Sequence, residues 1–251
     1  MKVIYVCGYG RSGSTTLGRV LAQHHTGVVT GEVTHIASGA FLHEAQCSCG
    51  EQFPSCAYWN DVDRRLNSST RRRAVSLRWR WLEGGFGLLL PLVALRRLVA
   101  RFAFSERYPG VNFEEGCRAM ADVAGGTFID ISKTTRLTSN RPRLLAAAGF
   151  DVDLYVAWRP ANDVIASHRA AQVRRGRTGA WWRSASHVYI GRTIALVGAT
   201  LCGRSLKVEL KRVTLDETVR LAKVTSSRQE RTNHMIAGNR SRLLPMKEEH
   251  N

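Results

Sequence analysis

The chain has 251 residues, enough for one well-packed core with at most a small subdomain. A hydrophobic content of 44% and a charged content of 23% exclude a disordered chain, and six cysteines at this length do not make a secreted disulfide framework. Lys+Arg 37 against Asp+Glu 20 gives a net charge of +17, which points to an anionic partner: a nucleotide with several phosphates, nucleic acid or an acidic membrane surface.

A predicted strand begins at Val3, so we expect no leader peptide and a cytoplasmic protein, soluble or associated with a membrane surface. The longest apolar run, Gly84 to Leu95, contains Pro91 and falls short of the roughly 20 residues that span a bilayer. The strand Val3-Ile4-Tyr5-Val6 runs into Gly8-Tyr9-Gly10-Arg11-Ser12-Gly13-Ser14-Thr15-Thr16, and Leu17, Val20 and Leu21 then recur at helical spacing. Strand, glycine-rich turn and helix start make a phosphate cradle, in which backbone N–H groups and the helix dipole face an anion. A nucleoside triphosphate loop places Lys and then Ser/Thr after its last glycine. Here Ser14 follows Gly13, and the cation, Arg11, lies earlier in the loop. That suits a 5′-phosphate carrying one attached group better than a triphosphate–magnesium chain.

A short strand over Val28 to Thr30 leads to Gly31-Glu32. A carboxylate at a strand end of an open α/β sheet lies at the ligand-binding edge, where Glu32 either acts as a base or pairs with an arginine. His35, three residues on, is the rival base. Cys47, Cys49 and Cys56, with His43, could ligate zinc, but their spacing departs from paired C-x₂₋₄-C sites. We read the cluster as a structural element and expect no metal.

Between Asp61 and Tyr108, arginine clusters alternate with large apolar groups such as Trp79, Trp81 and Phe86. A helical cap fits this mixture, and peripheral membrane contact stays open. Core pattern resumes at Thr127-Phe128-Ile129-Asp130-Ile131, then Ser132-Lys133-Thr134-Thr135. Pro142 and Gly149 bracket a helix holding Leu144 and Leu145. The strand Val152 to Trp158 precedes Arg159, and Ser167 lies two turns into the next helix, so one phosphate could meet both. A helix begins at Trp181, a late strand is predicted over Leu206 to Leu210, and a helix over Asp216 to Val224. The segment His234 to Arg242 carries Gly238-Asn239.

These motifs resemble the sulfotransferases that use 3′-phosphoadenylyl sulfate, bacterial type, whose fold is related to the P-loop kinases. The first loop is similar to their G-x-x-R-S-G loop with its hydroxyl run, and Ser132-Lys133 to their D-[SI]-S-K string. Arg159, Asp163, Val164 and Ser167 match R-D-P-R-D-V-x-x-S, although Pro160, Ala161 and Asn162 replace its D-P-R. His234 to Arg242 resembles H-x-x-x-G-N-x-x-R, whereas the family's Y-E-D string is missing after the late strand. Cys47, Cys49, Cys56 and Trp59 follow a string that recurs there too.

The resemblance implies a single domain over residues 1–251: a parallel sheet of about five strands with helices on both faces, and a helical acceptor-side insertion over roughly 61–124. It implies sulfuryl transfer to an acceptor hydroxyl of a small molecule, natural product, glycan or lipid, leaving 3′-phosphoadenosine 5′-phosphate. Glu32 would be the base, and Lys133 would sit at the donor's bridging oxygen. Arg11, Ser12, Gly13, Ser14, Thr15 and Thr16 would cradle the 5′-phosphosulfate. Arg159, Ser167, Gly238 and Arg242 would hold the 3′-phosphate. No specific nucleic acid is expected. A P-loop small-molecule kinase and a basic module binding nucleic acid or membrane are the alternatives. Nothing in the sequence sets the oligomeric state.

Overall fold

The structure, a computed structural model, describes residues 1–31, 33, 47–52, 55–67, 103–105, 108–132, 141–173, 181–225 and 233–236. In chain order the strands are β1 (Lys2–Cys7), β2 (Val28–Gly31), β3 (Ala103–Ser105), β4 (Tyr108–Asn112), β5 (Thr127–Asp130), β6 (Asp151–Trp158), β7 (Leu210–Thr214) and β8 (Asn233–Ile236). The helices are α1 (Ser14–His24), α2 (Ala57–Asn67), α3 (Phe113–Val123), α4 (Arg141–Ala147), α5 (Ala161–Val173), α6 (Trp181–Leu206) and α7 (Leu215–Thr225).

Six strands form one sheet in the order β7-β6-β1-β5-β2-β8, every neighbouring pair parallel. This is the expected α/β sheet with one strand more than the five read from the sequence. The extra strand comes from Asn233 to Ile236, part of which had read as loop; it pairs with β2, Gly31 opposite Ile236. β3 and β4 make a separate antiparallel pair.

β1 lies at the centre and is buried on both faces, which is why it reads as an unbroken apolar run. The two-residue period of a strand sends Val3, Tyr5 and Cys7 to one face and Ile4 and Val6 to the other. On the first face they meet Trp59 and Val62 of α2, Met120 of α3, Leu144 of α4 and Cys202 of α6. On the second they meet Leu17, Leu21 and Ala22 of α1. Helices thus cover both faces. No helix among the described residues is long and apolar enough to cross a membrane; the run from Gly84 to Leu95 lies outside them.

α1 can lie this close to the sheet because of Gly18. A methyl built there would stand 2.6 Å from Ile131 Cγ2, a real clash. We expect Gly18→Val to lower the unfolding free energy by about 2–3 kcal/mol, as overpacking does. At Gly10 an added methyl meets nothing within 4 Å, so Gly10→Val should cost far less. Urea unfolding of both variants checks the difference.

The late strand is the clear correction to the sequence reading. α6 runs on to Leu206, the chain turns at Lys207 with φ 57°, and β7 starts only at Leu210. Its exposed Lys211 and Arg212 disguise it, yet they suit an edge strand, where charge discourages pairing with another chain. β7 ends in a reciprocal cap. The Thr214 backbone N–H donates to Glu217 Oε2 at 2.7 Å, and the Glu217 N–H donates to Thr214 Oγ1 at 3.2 Å.

Candidate functional site at the sheet's carboxyl edge

A parallel sheet ends all its strands at one edge, and there neighbouring β1 and β6 send their chains in opposite directions. The α1 crossover leads from β1 to β2 on one side, while α5 and α6 lead from β6 to β7 at the other margin. Such a switch point opens a crevice between the two following loops. The first holds Arg11 to Thr16 and the second Arg159.

The first loop is built for close approach. Gly8 leaves room for Ser12: a methyl there would sit 2.6 Å from Ser12 Oγ and force that side chain to shift. The Ser12 N–H donates to the Tyr9 carbonyl at 3.1 Å, closing a tight turn. Arg11 has φ 68°, a left-handed conformation uncommon outside glycine and typical of sites where backbone strain is tolerated for function. Gly13, at φ 94°, precedes α1 and offers no side-chain cap, and the first turn of α1 carries no acidic residue. The helix start therefore keeps its positive end for an anion. Ser12 and Ser14 are buried, 2% and 1% exposed, and neither hydroxyl oxygen has a hydrogen-bond partner among the described residues. Buried hydroxyls are normally satisfied, so two orphans in one loop mark a place made for a ligand's oxygens. Thr15 and Thr16 follow in the first turn of α1, both half-buried.

The two loops are tied together by a residue that the sequence reading passed over. The Tyr9 hydroxyl donates to the Arg159 carbonyl at 2.7 Å, and its ring packs with Ala161, Val164, Val188 and Ala195. Burial pushes the Tyr9 phenol up, against the opposing bond to Arg159 and the charges of Arg192 and Arg159, which keeps the group a neutral donor. The Arg159 side chain is 20% exposed and its Nε lies 3.9 Å from Asp163 Oδ2. Ser167 lies in the second turn of α5, half-buried. Beside Arg159, the Trp158 ring carries two guanidiniums, Arg192 at 3.8 Å and Arg212 at 4.8 Å from its centroid. The positive charge of this edge therefore extends from the β1 loop to α6 and β7.

A second unforeseen residue braces the edge further along. Asp130 ends β5 and is 1% exposed. Its carboxylate accepts the Ser132 N–H at 2.7 Å and a backbone hydrogen bond from Val33, and Arg141 Nη1 stands 3.9 Å away. The Tyr5 hydroxyl fixes the next atoms by donating to the Ser132 carbonyl at 2.6 Å. Burial pushes the Asp130 carboxyl up; Arg141 and the hydrogen bonds oppose this. One buried carboxylate thus clamps the chain leaving β2 to the chain leaving β5.

Glu32, His35, His43, Lys133, Gly238 and Arg242 lie outside the described residues, as do Trp79, Trp81 and Phe86. What is described is where their segments start. β2 ends at Gly31, β5 at Asp130 and β8 at Ile236, all at the edge that bears the two loops. No family model matches this chain, and no curated protein does. Among solved structures it is similar to a sulfotransferase domain from the curacin biosynthetic pathway, at 15% identity and a TM-score of 0.44, over 90% of this chain and 71% of that one.

Proposed function

We propose that the chain is a sulfotransferase that moves a sulfuryl group from 3′-phosphoadenylyl sulfate to an acceptor hydroxyl. The observation that carries this reading is the loop after β1. It has the glycines, the uncapped helix start and two unpartnered buried hydroxyls of a phosphate cradle, but Ser14 where a triphosphate loop has lysine. That substitution weighs against a kinase. Arg159, across the crevice, suits a separate 3′-phosphate.

In this reading Arg11 and the N–H groups of the β1 loop neutralise the 5′-phosphosulfate and aim it along the sheet edge. Glu32 takes the acceptor's proton as its oxygen bonds to sulfur, and the bond from sulfur to the bridging oxygen breaks. Lys133 stands by that bridging oxygen, where negative charge grows, and a preorganised cation there acts on the transition state. Arg159, Ser167, Gly238 and Arg242 hold the 3′-phosphate. Positioning and charge neutralisation then supply most of the rate. Asp130 serves by holding in register the segments that carry Glu32 and Lys133. The acceptor is a small molecule, glycan or lipid, reached at the cytoplasmic side, with peripheral membrane contact left to the segment holding Trp79, Trp81 and Phe86.

Radiolabelled sulfate transfer across acceptor classes tests the activity. Arg159 gives a sharper test of the donor site. Charge-assisted hydrogen bonds are worth roughly 1.5–3 kcal/mol, so Arg159→Ala should weaken 3′-phosphoadenosine 5′-phosphate by about tenfold or more and leave adenosine 5′-phosphate nearly unchanged. Equal losses for both nucleotides would place Arg159 elsewhere than at the 3′-phosphate.

A further inference from the structure

In the turn that precedes α2, three sulfurs meet. Cys56 Sγ lies 3.5 Å from Cys47 Sγ and 3.6 Å from Cys49 Sγ, and all three fall within 4.8 Å of one another. None is in a disulfide. Thiolates 2.3 Å from a tetrahedral zinc ion stand about 3.8 Å apart, so the observed separations are close to the edges of such a tetrahedron. The backbone is shaped to hold them there. The Gly50 N–H donates to the Cys47 carbonyl at 3.0 Å, the Cys47 N–H to the Glu51 carbonyl at 2.8 Å, and Gly50 adopts φ 96°. The Cys56 N–H closes onto the Gln52 carbonyl at 2.9 Å. Cys47 and Cys56 are buried, while Cys49 faces solvent, so an ion can reach the cluster from its side. The Cys49 N–H also donates to the Cys47 sulfur, the kind of bond that supports a metal-bound thiolate.

We propose that Cys47, Cys49 and Cys56 bind a zinc ion that staples the 47–56 turn to the start of α2. The fourth corner falls to water. This reverses our sequence expectation of no metal: the spacing was unusual, but the fold closes the gap between Cys49 and Cys56. Binding forms three Zn–S bonds and releases the three thiol protons to solvent. The staple matters because α2 carries Tyr58, Trp59, Val62 and Leu66 into the core beneath the sheet, and the Tyr58 hydroxyl donates to the Met120 carbonyl at 3.0 Å. The zinc is structural and does not depend on the sulfotransferase reading.

The test uses the full chain purified with a non-chelating reductant. Elemental analysis should find about one zinc per chain. Chelation should lower the thermal midpoint, and zinc but not magnesium should restore it. Cys56→Ser removes a buried ligand and risks misfolding, so exposed Cys49→Ser is the cleaner variant. It should keep its circular dichroism yet lose zinc affinity by more than the roughly 10–100-fold typical of residues that only orient a ligand. Reduced protein that neither contains nor takes up stoichiometric zinc would overturn the proposal. So would unchanged affinity in Cys49→Ser, or a Cys47–Cys56 disulfide whose reduction still leaves zinc unbound.

Discussion

Glu32→Gln is expected to lower kcat by at least two orders of magnitude while donor affinity stays nearly unchanged. An acceptor hydroxyl has a pKa far above neutral, and a positioned carboxylate accelerates its attack by about 10²–10⁴-fold. Glutamine keeps the size and most of the hydrogen bonding but removes the basic oxygen. The loss should therefore appear in kcat and not in the binding of the product nucleotide. His35→Gln should be much milder. Steady-state kinetics of the two variants, with nucleotide titration alongside, separates the assignments. A dead His35 variant beside an active Glu32→Gln would make Glu32 an ion-pair partner.

The second large effect is on stability and centres on Asp130. Arg141 is 3% exposed and stands 3.9 Å from the buried carboxylate. Removing one partner of a buried ion pair leaves the other uncompensated and costs about 3–5 kcal/mol. We expect Arg141→Met to lose that much at pH 7.5. The sign of the pH dependence follows from the direction of the Asp130 shift. Burial already raises this carboxyl, and Arg141 is the largest opposing influence, so the variant raises it further. A carboxyl kept neutral in the folded chain but ionised in the unfolded one costs about 1.4 kcal/mol per pH unit. Lowering the pH from 7.5 to 5.5 should thus return part of the loss. Urea unfolding at both pH values measures it; a penalty that does not shrink on acidification would mean that Arg141 acts through packing alone.

The parts of the molecule that the sequence reveals are those set by local pattern. β1, its loop and α1 follow from an apolar run, glycines and helical spacing, because each signal lies within a few residues of the element it specifies. The boundaries of β7 were misread because apolar Leu206 and Leu210 flank the turn, while the strand itself carries Lys211 and Arg212. Thr214 and Glu217, at capping-box spacing, would have fixed the start of α7 and hence the strand before it. α3 could also have been found, from Glu114 and Glu115 in its first turn. Tyr9 and Asp130 are different. Tyr9 acts on a backbone carbonyl 150 residues away, and Asp130 on amides from two strands' ends, so only the folded sheet gives either residue its role. The cysteine cluster lies between these cases, visible as residue types but closed into a site by the turn and the start of α2.

The central claim is that the crevice between the β1 and β6 loops takes a 3′-phosphorylated adenine nucleotide. Calorimetric titration of the unmodified chain, without divalent metal, with 3′-phosphoadenosine 5′-phosphate, adenosine 5′-phosphate and ATP tests it most directly. The account predicts one site that prefers the bisphosphate by about tenfold or more over adenosine 5′-phosphate, the worth of the 3′ contacts, and binds ATP weakly. ATP binding that requires magnesium, with no preference for the 3′-phosphate, would contradict it.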